Sequence, residues 1–423
     1  MNYIIGSGFS GLTVAYALHK KGIKSTIISP ADKIIRKNKS LLSLILKKDG
    51  EILNNSQTLT NIIKKINKSH VRNCKYLISH LDGGQSNFWG GVVGNINDYN
   101  LKNYSLKKEE LFKNSQTFKK LLKIIGISSK NFFNKDNIKN SFFSEKNYDV
   151  SKKSVSNLKR FLKMKKVLFL NNYFVKKIDS KNSTIELYDI LKKKEKKLKF
   201  KNLFISCGPV ETSKLILNSF KDIRKIYLKE TQHFYAIIRL KREIKTRFFK
   251  INLNKINFSC QLYSLKNVLG LFFKNYFKNT EYKKKGRYFV AQCYLNQNNS
   301  GKIEISKKNN QINILGIKNK NFNEKKLIKG INDFNKKNDY IEIKKVFFNQ
   351  IGASNHLGAS IPMTTKRFLS LGVNKYGKLN NTKNIFVADS SILNEIDTSP
   401  ITIFSLNNIL RMILDNKYHK NNS

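Results

Sequence analysis

The chain has 423 residues, long enough for a large core and about two domains, which excludes a fully disordered chain. It carries 81 Lys and Arg against 28 Asp and Glu, a formal net charge of +53. The lysines are spread over most of the length and arginine is scarce, which argues against a base-reading nucleic-acid binder. General compositional bias and a functional basic surface remain the two readings of that charge.

Cys74, Cys207, Cys260 and Cys293 stand singly, with no CxxC and no histidine at metal spacing, so reduced core thiols are expected rather than structural zinc. The sequence begins "MNYIIGSG", which leaves no room for a leader before the first strand. No apolar run approaches the roughly 20 residues of a membrane-spanning helix. The expectation is a soluble cytoplasmic protein, with peripheral lysine contact to anionic lipid left open.

In chain order, Tyr3 to Ile5 form an apolar strand, followed by Gly6-Ser7-Gly8-Phe9-Ser10-Gly11 and the helical "LTVAYALHKKG". Strand, GxGxxG and helix in succession are the context of a dinucleotide turn. Gly6 permits the tight bend, Gly8 admits a pyrophosphate and Gly11 lets helix and strand pack closely. "KSTIIS" is the second strand. An acidic residue usually ends it and holds a ribose, but here Ser29 stands there, with Asp32 three residues on, so the ribose contact is open. A nicotinamide domain would continue at once into further βα units, whereas a basic, Asn-rich stretch follows.

"DGGQSNFWGG", Asp82 to Gly91, sets four glycines around the only tryptophan. It reads either as backbone passing close to something flat or charged or as a Gly-rich surface loop. Residues 106–149 read as helical cover or lid. "NLFISCGPVETSKLILNS" is a second strand-to-helix turn, bending at Gly208 with Pro209 and Glu211 opening the helix. From 234 to 347, "FYAIIRL", "NFSCQLY", "VLGLFF", "RYFVAQCYL" and "GKIEIS" read as one antiparallel sheet, with a helix over Glu324 to Asn338. Tyr263, Phe272, Phe273, Tyr288, Phe289 and Tyr294 read first as core, with pocket lining as the alternative. "NHLGASIPM" then brings His356, either an ordinary loop histidine or the base of an active site.

Taken together, the GxGxxG turn, "GGQSNFWGG", "ISCGPVETSKLILNS", "NHLGASIPM" and "NIFVADSSILNEIDTSPITIFSLNNILRM" resemble, in this order, the glucose-methanol-choline oxidoreductases, flavoenzymes that bind FAD and oxidise alcohols. The resemblance covers the two ends and the middle of the chain. It implies an α/β fold: a discontinuous Rossmann-like FAD-binding domain over 1–105, 150–225 and 350–423, and a smaller antiparallel-sheet substrate domain over 226–349. It also implies FAD pyrophosphate on Gly6, Ser7, Gly8, Phe9 and Ser10, with Gly11 packed behind. Gly84, Ser86 and Asn87 would run along pyrophosphate and flavin, with Trp89 near the ring. The Val175 backbone would meet adenine, Gly208 would flank the cleft, and Asp389 with Ser390 would lie near the ribityl chain. Pro400, Ile401 and Thr402 would approach the pyrimidine edge, where a helix dipole stabilises negative charge.

His356, with Gly358 and Met363, falls on the family's histidine segment, which implies a neutral imidazole taking the alcohol proton as a hydride leaves for flavin N5. Thr398 stands where the family has a second polar side chain on the substrate oxygen. Ser399 is the choice one residue on, and helix capping before Pro400 is the other reading. His70 and His80 would be the first candidates for covalent flavin attachment. The expected donor is a sugar, polyol or glycan precursor, with net charge favouring an anionic one, and the electron acceptor is open. The alternatives are a flavin-fold protein without alcohol oxidation and a basic-surface binder of nucleic acid or membrane.

Overall fold

Runs such as "YII", "TIIS" and "LFI" are apolar at successive positions, the pattern of strands covered on both faces. In the computed structural model they form a five-stranded parallel sheet ordered β18 (Ile385–Val387), β8 (Asn202–Ile205), β1 (Asn2–Ile5), β2 (Thr26–Ser29) and β4 (Leu168–Asn171). The structure describes residues 1–31, 59–66, 68–76, 78–88, 106–127, 148–242, 248–253, 256–264, 287–354, 356–364 and 371–416. From β1 the chain winds to β2 through helix α1 (Phe9–Lys20), whereas β8 and β18 lie on the other side of β1. That reversal opens a crevice outside the carboxyl ends of β1 and β8, where open α/β sheets bind nucleotides.

Residues 106–149 contribute α2 (Lys108–Phe112), α3 (Ser115–Ile124) and the start of α4 (Tyr148–Met164), with 128–147 outside the described residues. Helix α5 (Pro209–Ser219) follows β8. Over Glu324–Lys337, α6 matches the expected helix and is capped by the Asn323 side chain, which accepts from the Lys325 and Lys326 amides. The last helix, α7 (Thr402–Asp415), lies in the main core. At its carboxyl end the Lys21 ammonium donates to the carbonyls of Ile413, Leu414 and Asn416, tying the end of α1 to the end of α7.

Three antiparallel or mixed sheets complete the fold. β5 (Tyr173–Asp179), β6 (Thr184–Asp189) and β7 (Lys194–Lys199) form a meander whose charged, exposed last strand protects the edge. β17 (Leu357–Gly358), β9 (Lys225–Glu230), β14 (Lys302–Lys308), β15 (Gln311–Ile317) and β3 (Ser69–Arg72) form the next, and β11 (Phe248–Leu253), β12 (Ile256–Ser264), β13 (Tyr288–Leu295), β10 (His233–Leu240) and β16 (Ile341–Phe348) the last.

The single sheet expected over 234–347 is therefore two. Burial separates them: Ile226, Leu228, Ile303, Ile305, Ile312 and Ile314 join the core of the parallel sheet. Phe234, Ala236, Phe258, Cys260, Leu262, Ala291, Cys293 and Leu295 form a second core with Leu327 and Ile331 of α6. "GKIEIS" belongs to the first group, and "VLGLFF" lies outside the described residues. Among the described residues no helix is long and apolar enough to cross a membrane, and no group of His, Cys, Asp and Glu is placed to hold a metal ion.

Candidate active site

The first turn is built from backbone in contact with backbone. Gly6 has φ +108°, and a Cβ on it would lie 2.4 Å from the Ser206 carbonyl oxygen; one on Gly11 would lie 1.9 Å from the Gly6 carbonyl oxygen. No side chain fits at either position. The first N–H groups of a helix have no intrahelical acceptor, and in α1 one of them, Phe9 N, donates to Ser86 Oγ at 3.2 Å. Ser86 Oγ donates to Gly83 O at 2.5 Å, and Gly83 N donates to Ser7 Oγ at 3.2 Å. The Gly-rich loop thus docks on the glycine turn, with Gly84 at φ +55° against Gly8. A buried ion pair of Asp82 with Lys159 of α4 anchors the start of that loop.

Ser29, at the end of β2, is fully buried; its hydroxyl lies 3.0 Å from Ser7 Oγ and donates to Ala31 O at 3.3 Å. It braces the turn and presents no group to a ribose, and Asp32 lies outside the described residues. The first turn of α1 holds no acidic residue, and the hydroxyl of Ser206, whose backbone carbonyl abuts Gly6, is buried with no partner among the described residues. Amide donors, the positive end of a helix dipole and an unmatched hydroxyl fit a pyrophosphate group.

The second turn lies beside the first, because β8 pairs with β1. Gly208 has φ +82° and precedes Pro209 at the start of α5. Asp389, 2% exposed, reaches it from the end of β18. One carboxylate oxygen accepts from Gly208 N at 3.0 Å and from Thr212 Oγ1 at 2.6 Å; the other accepts from Ser391 N at 2.9 Å. Burial raises this carboxyl above its ordinary range, against the opposing effect of those donors. The structure therefore makes Asp389 a latch between β18 and the second turn. Ser390 Oγ donates to Leu357 O at 2.8 Å, and a Cβ on Gly358 would lie 2.4 Å from Ser390 O, so the histidine segment sits directly on the latch.

His356 is partly buried at the head of that segment. Its ring stacks on Tyr294 with centroids 4.3 Å apart and planes 9° from parallel, and Nδ1 lies 3.4 Å from Thr231 Oγ1. The preceding loop is held by Glu230, whose carboxylate accepts Gly352 N through both oxygens and Ser354 Oγ; Ser354 Oγ in turn accepts His356 N. Burial lowers the His356 imidazole to about 4.

Tyr294 belongs to one face of the last sheet. Register places Ser259, Tyr294 and His233 in one cross-strand row and Gln261, Gln292 and Tyr235 in the next. Side chains two residues apart share a face, so this face is polar while Phe258, Cys260, Ala291, Cys293, Phe234 and Ala236 point into the second core. Phe289 packs against that core, whereas Tyr263 joins the polar face and donates to Gln292 Oε1 at 3.2 Å. Phe272 and Phe273 lie outside the described residues. His233 is 4% exposed; burial, reinforced by His356, lowers it to about 3.

The carboxy-terminal loop completes the arrangement. Thr398 O accepts from Ser259 Oγ at 2.8 Å, which puts Thr398 beside the same face as His356. Its hydroxyl, however, donates to Asp397 Oδ1 at 3.1 Å, so in this geometry that proton is already engaged. Ser399 Oγ is buried without a partner among the described residues. Pro400 and Ile401 lead into α7, which begins at Thr402 with no acidic residue in its first turn.

Other expected residues are placed as follows. Val175 is buried in the main core on β5, beside a register shift of that strand. Trp89 and the Asn87 side chain lie outside the described residues. His70 is exposed on β3. His80 is buried, with Nδ1 3.0 Å from Thr60 Oγ1 and Nε2 3.6 Å from Glu211. Burial alone would push the Glu211 carboxyl up, but Lys214 and His80 outweigh it and hold it at about 2. His233, Tyr235, Ser259, Gln261, Gln292, Thr231 and Glu230 were not singled out from sequence. The period-two alternation of "HFYAIIRL" and "YFVAQCYL" was the available signal for the polar face.

Residues 3–72 match the family described as pyridine nucleotide-disulphide oxidoreductase. No curated protein matches the chain. Among solved structures it is similar to pyridoxine 4-oxidase from Mesorbium loti, with a TM-score of 0.56 and 9% identity over 99% of both chains. At that identity the likeness concerns architecture alone: the chain has a mixed α/β fold with a Rossmann-type nucleotide-binding domain.

Proposed function

We propose that the protein is an FAD-dependent oxidoreductase that oxidises the CH–OH group of a polar alcohol. The observation that carries this reading is the meeting of two strand-glycine-helix turns with the neutral imidazole of His356, through the Ser390 contact to Leu357 and Gly358. FAD would be held by the Gly6 to Ser10 turn, the Gly83 to Ser86 loop, the Gly208 turn and the Pro400 to Thr402 backbone. When bound, the flavin supplies a hydride acceptor.

The chain's own groups supply the proton chemistry. His356 enters the reaction unprotonated because burial holds it near 4. Tyr294 and Thr231 fix the ring and engage Nδ1, which leaves Nε2 to take the hydroxyl proton as the C–H bond breaks. Without that acceptor the product would be a protonated carbonyl. An imidazolium is unfavourable at this depth, so the proton passes on toward solvent rather than resting there. The amino-terminus of α7 favours negative charge at the Pro400 end of the site.

The test is direct. Purified protein should be yellow, release FAD on denaturation and lose its visible flavin band when an alcohol is added without oxygen; a colourless protein that takes up no added FAD would sink the assignment. One observation favours a second reading, flavin binding without alcohol oxidation: the Thr398 hydroxyl is engaged by Asp397. On that reading the protein is yellow and no alcohol bleaches it.

A further inference from the structure

The polar face of β10, β12 and β13 has two properties that the proton chemistry of His356 does not require. The first is an unmatched imidazole. His233 is 4% exposed, its ring lies 6.0 Å from Tyr294 and 5.1 Å from Tyr235, and its Nδ1 has no hydrogen-bond partner among the described residues. Buried polar atoms are almost always matched, and this one sits on the face against which His356 stacks. Ser399 Oγ, also without a hydrogen-bond partner among the described residues, belongs to the loop that crosses the same face at Ser259.

The second property is neutrality. In a chain with 81 Lys and Arg, the rows Ser259–Tyr294–His233 and Gln261–Gln292–Tyr235 contain no formal charge. Lys250 continues the first row on the edge strand β11, but its ammonium reaches Asp397 at 3.9 Å; Lys229 Nζ donates to Asn394 O at 3.0 Å. Both imidazoles are lowered, to about 3 and about 4, and so carry no charge at neutral pH. Among the described residues, none of these rows offers a cation to a phosphate or carboxylate that would lose its water here. Hydroxyl groups, by contrast, meet amides and phenols: Tyr263 Oη donates to Gln292 Oε1 at 3.2 Å and lies 3.4 Å from Gln261 Oε1, which leaves the amide N–H groups as donors.

We propose that this neutral face recognises the substrate, that His233 is the imidazole that hydrogen-bonds it opposite His356, and that the alcohol it takes is uncharged. The inference rests on the alcohol-oxidising reading, and it points away from the anionic donor that the net charge favoured. A site built to bond hydroxyls discriminates strongly against ligands that leave its polar groups unmatched.

The test uses the flavin-loaded protein without oxygen and reads the flavin spectrum twice, as a shift on binding and as bleaching on turnover. Uncharged hexoses, polyols and hydroxymethyl arenes are titrated beside their phosphorylated counterparts. At least one uncharged alcohol should shift the spectrum about tenfold more tightly than its phosphate ester, and in His233→Asn that binding should weaken about tenfold while flavin content is retained. His233→Gln is the second variant should Asn fail to fold. Tighter binding of the phosphate esters, a spectral shift from neither class, or unchanged binding in a folded His233 variant would overturn the proposal. Binding of the uncharged class with no bleaching would uphold the neutral face and His233 as a binding site for uncharged hydroxyl ligands and overturn alcohol oxidation instead.

Discussion

The two surfaces that meet at His356 are made by opposite means. On the nucleotide side, backbone touches backbone: Gly6 against Ser206, Gly11 against Gly6 and Gly358 against Ser390 leave no room for a Cβ. On the other side, side chains make the surface, as cross-strand rows of Ser, Tyr, His and Gln over a sheet whose reverse face is apolar core. A surface of the first kind holds a constant group such as a pyrophosphate and tolerates no substitution. One of the second kind can change its ligand by single residues while the sheet persists. On the proposed function, cofactor and substrate specificity are thus separable in this molecule.

Substitutions should divide along that line. The largest effect belongs to Gly11→Ala: a Cβ 1.9 Å from a carbonyl oxygen forces α1 off β1, at about 4–5 kcal/mol or more. The expected result is insoluble or colourless protein, read by solubility and flavin absorbance per chain. If Gly11→Ala gave soluble, fully loaded protein, the contrast between the surfaces would fail.

His356→Ala comes next and should act on rate alone. Flavin content should match wild type, while alcohol-driven bleaching slows by about 10²- to 10⁴-fold, measured by anaerobic rapid mixing. Asp389→Asn is smaller. It retains a side chain of the same shape but turns an NH₂ toward one or two of the three donors now on the carboxylate. A mismatch of this kind costs about 1–3 kcal/mol, visible as a lower melting temperature and easier loss of flavin, with the bleaching rate of loaded protein little changed.

The mildest perturbation is pH. Because burial depresses His356 to about 4, its neutral, proton-accepting form persists on acidification well below the usual histidine range. The bleaching rate should therefore stay flat as pH falls through the ordinary histidine value and decline only toward about 4. A decline centred on the ordinary value would mean that the ring is more solvated than its packing implies.

What the sequence disclosed follows the same division. Gly6, Gly8 and Gly11 were legible because strand, turn and helix are contiguous, and the backbone constraint acts within a few residues. His356 was singled out by its segment, and its role as base is part of the proposed function. Ser29 looked like a missing ribose contact; its actual partner, Ser7, lies across the turn and could be found only once β1 and β2 were paired. The position of Asp389 was legible, but its donors Gly208 and Thr212 lie in a turn 177 or more residues away in sequence. His233 escaped notice because a strand residue gains meaning from its register: Tyr294 and Ser259 become its neighbours only through pairings across long intervening segments. The division of the strands between two sheets was hidden for a similar reason, since alternating isoleucines do not reveal which core they face.

The central claim is that His356 accepts the proton of an alcohol whose hydride goes to bound flavin. The most direct measurement compares wild type and His356→Ala, both loaded with FAD, for bleaching of the flavin band by the best alcohol in the absence of oxygen. The account predicts rapid bleaching of the wild type and a variant that stays yellow. A variant that bleaches as fast as wild type, or a wild type that no alcohol bleaches, would contradict it.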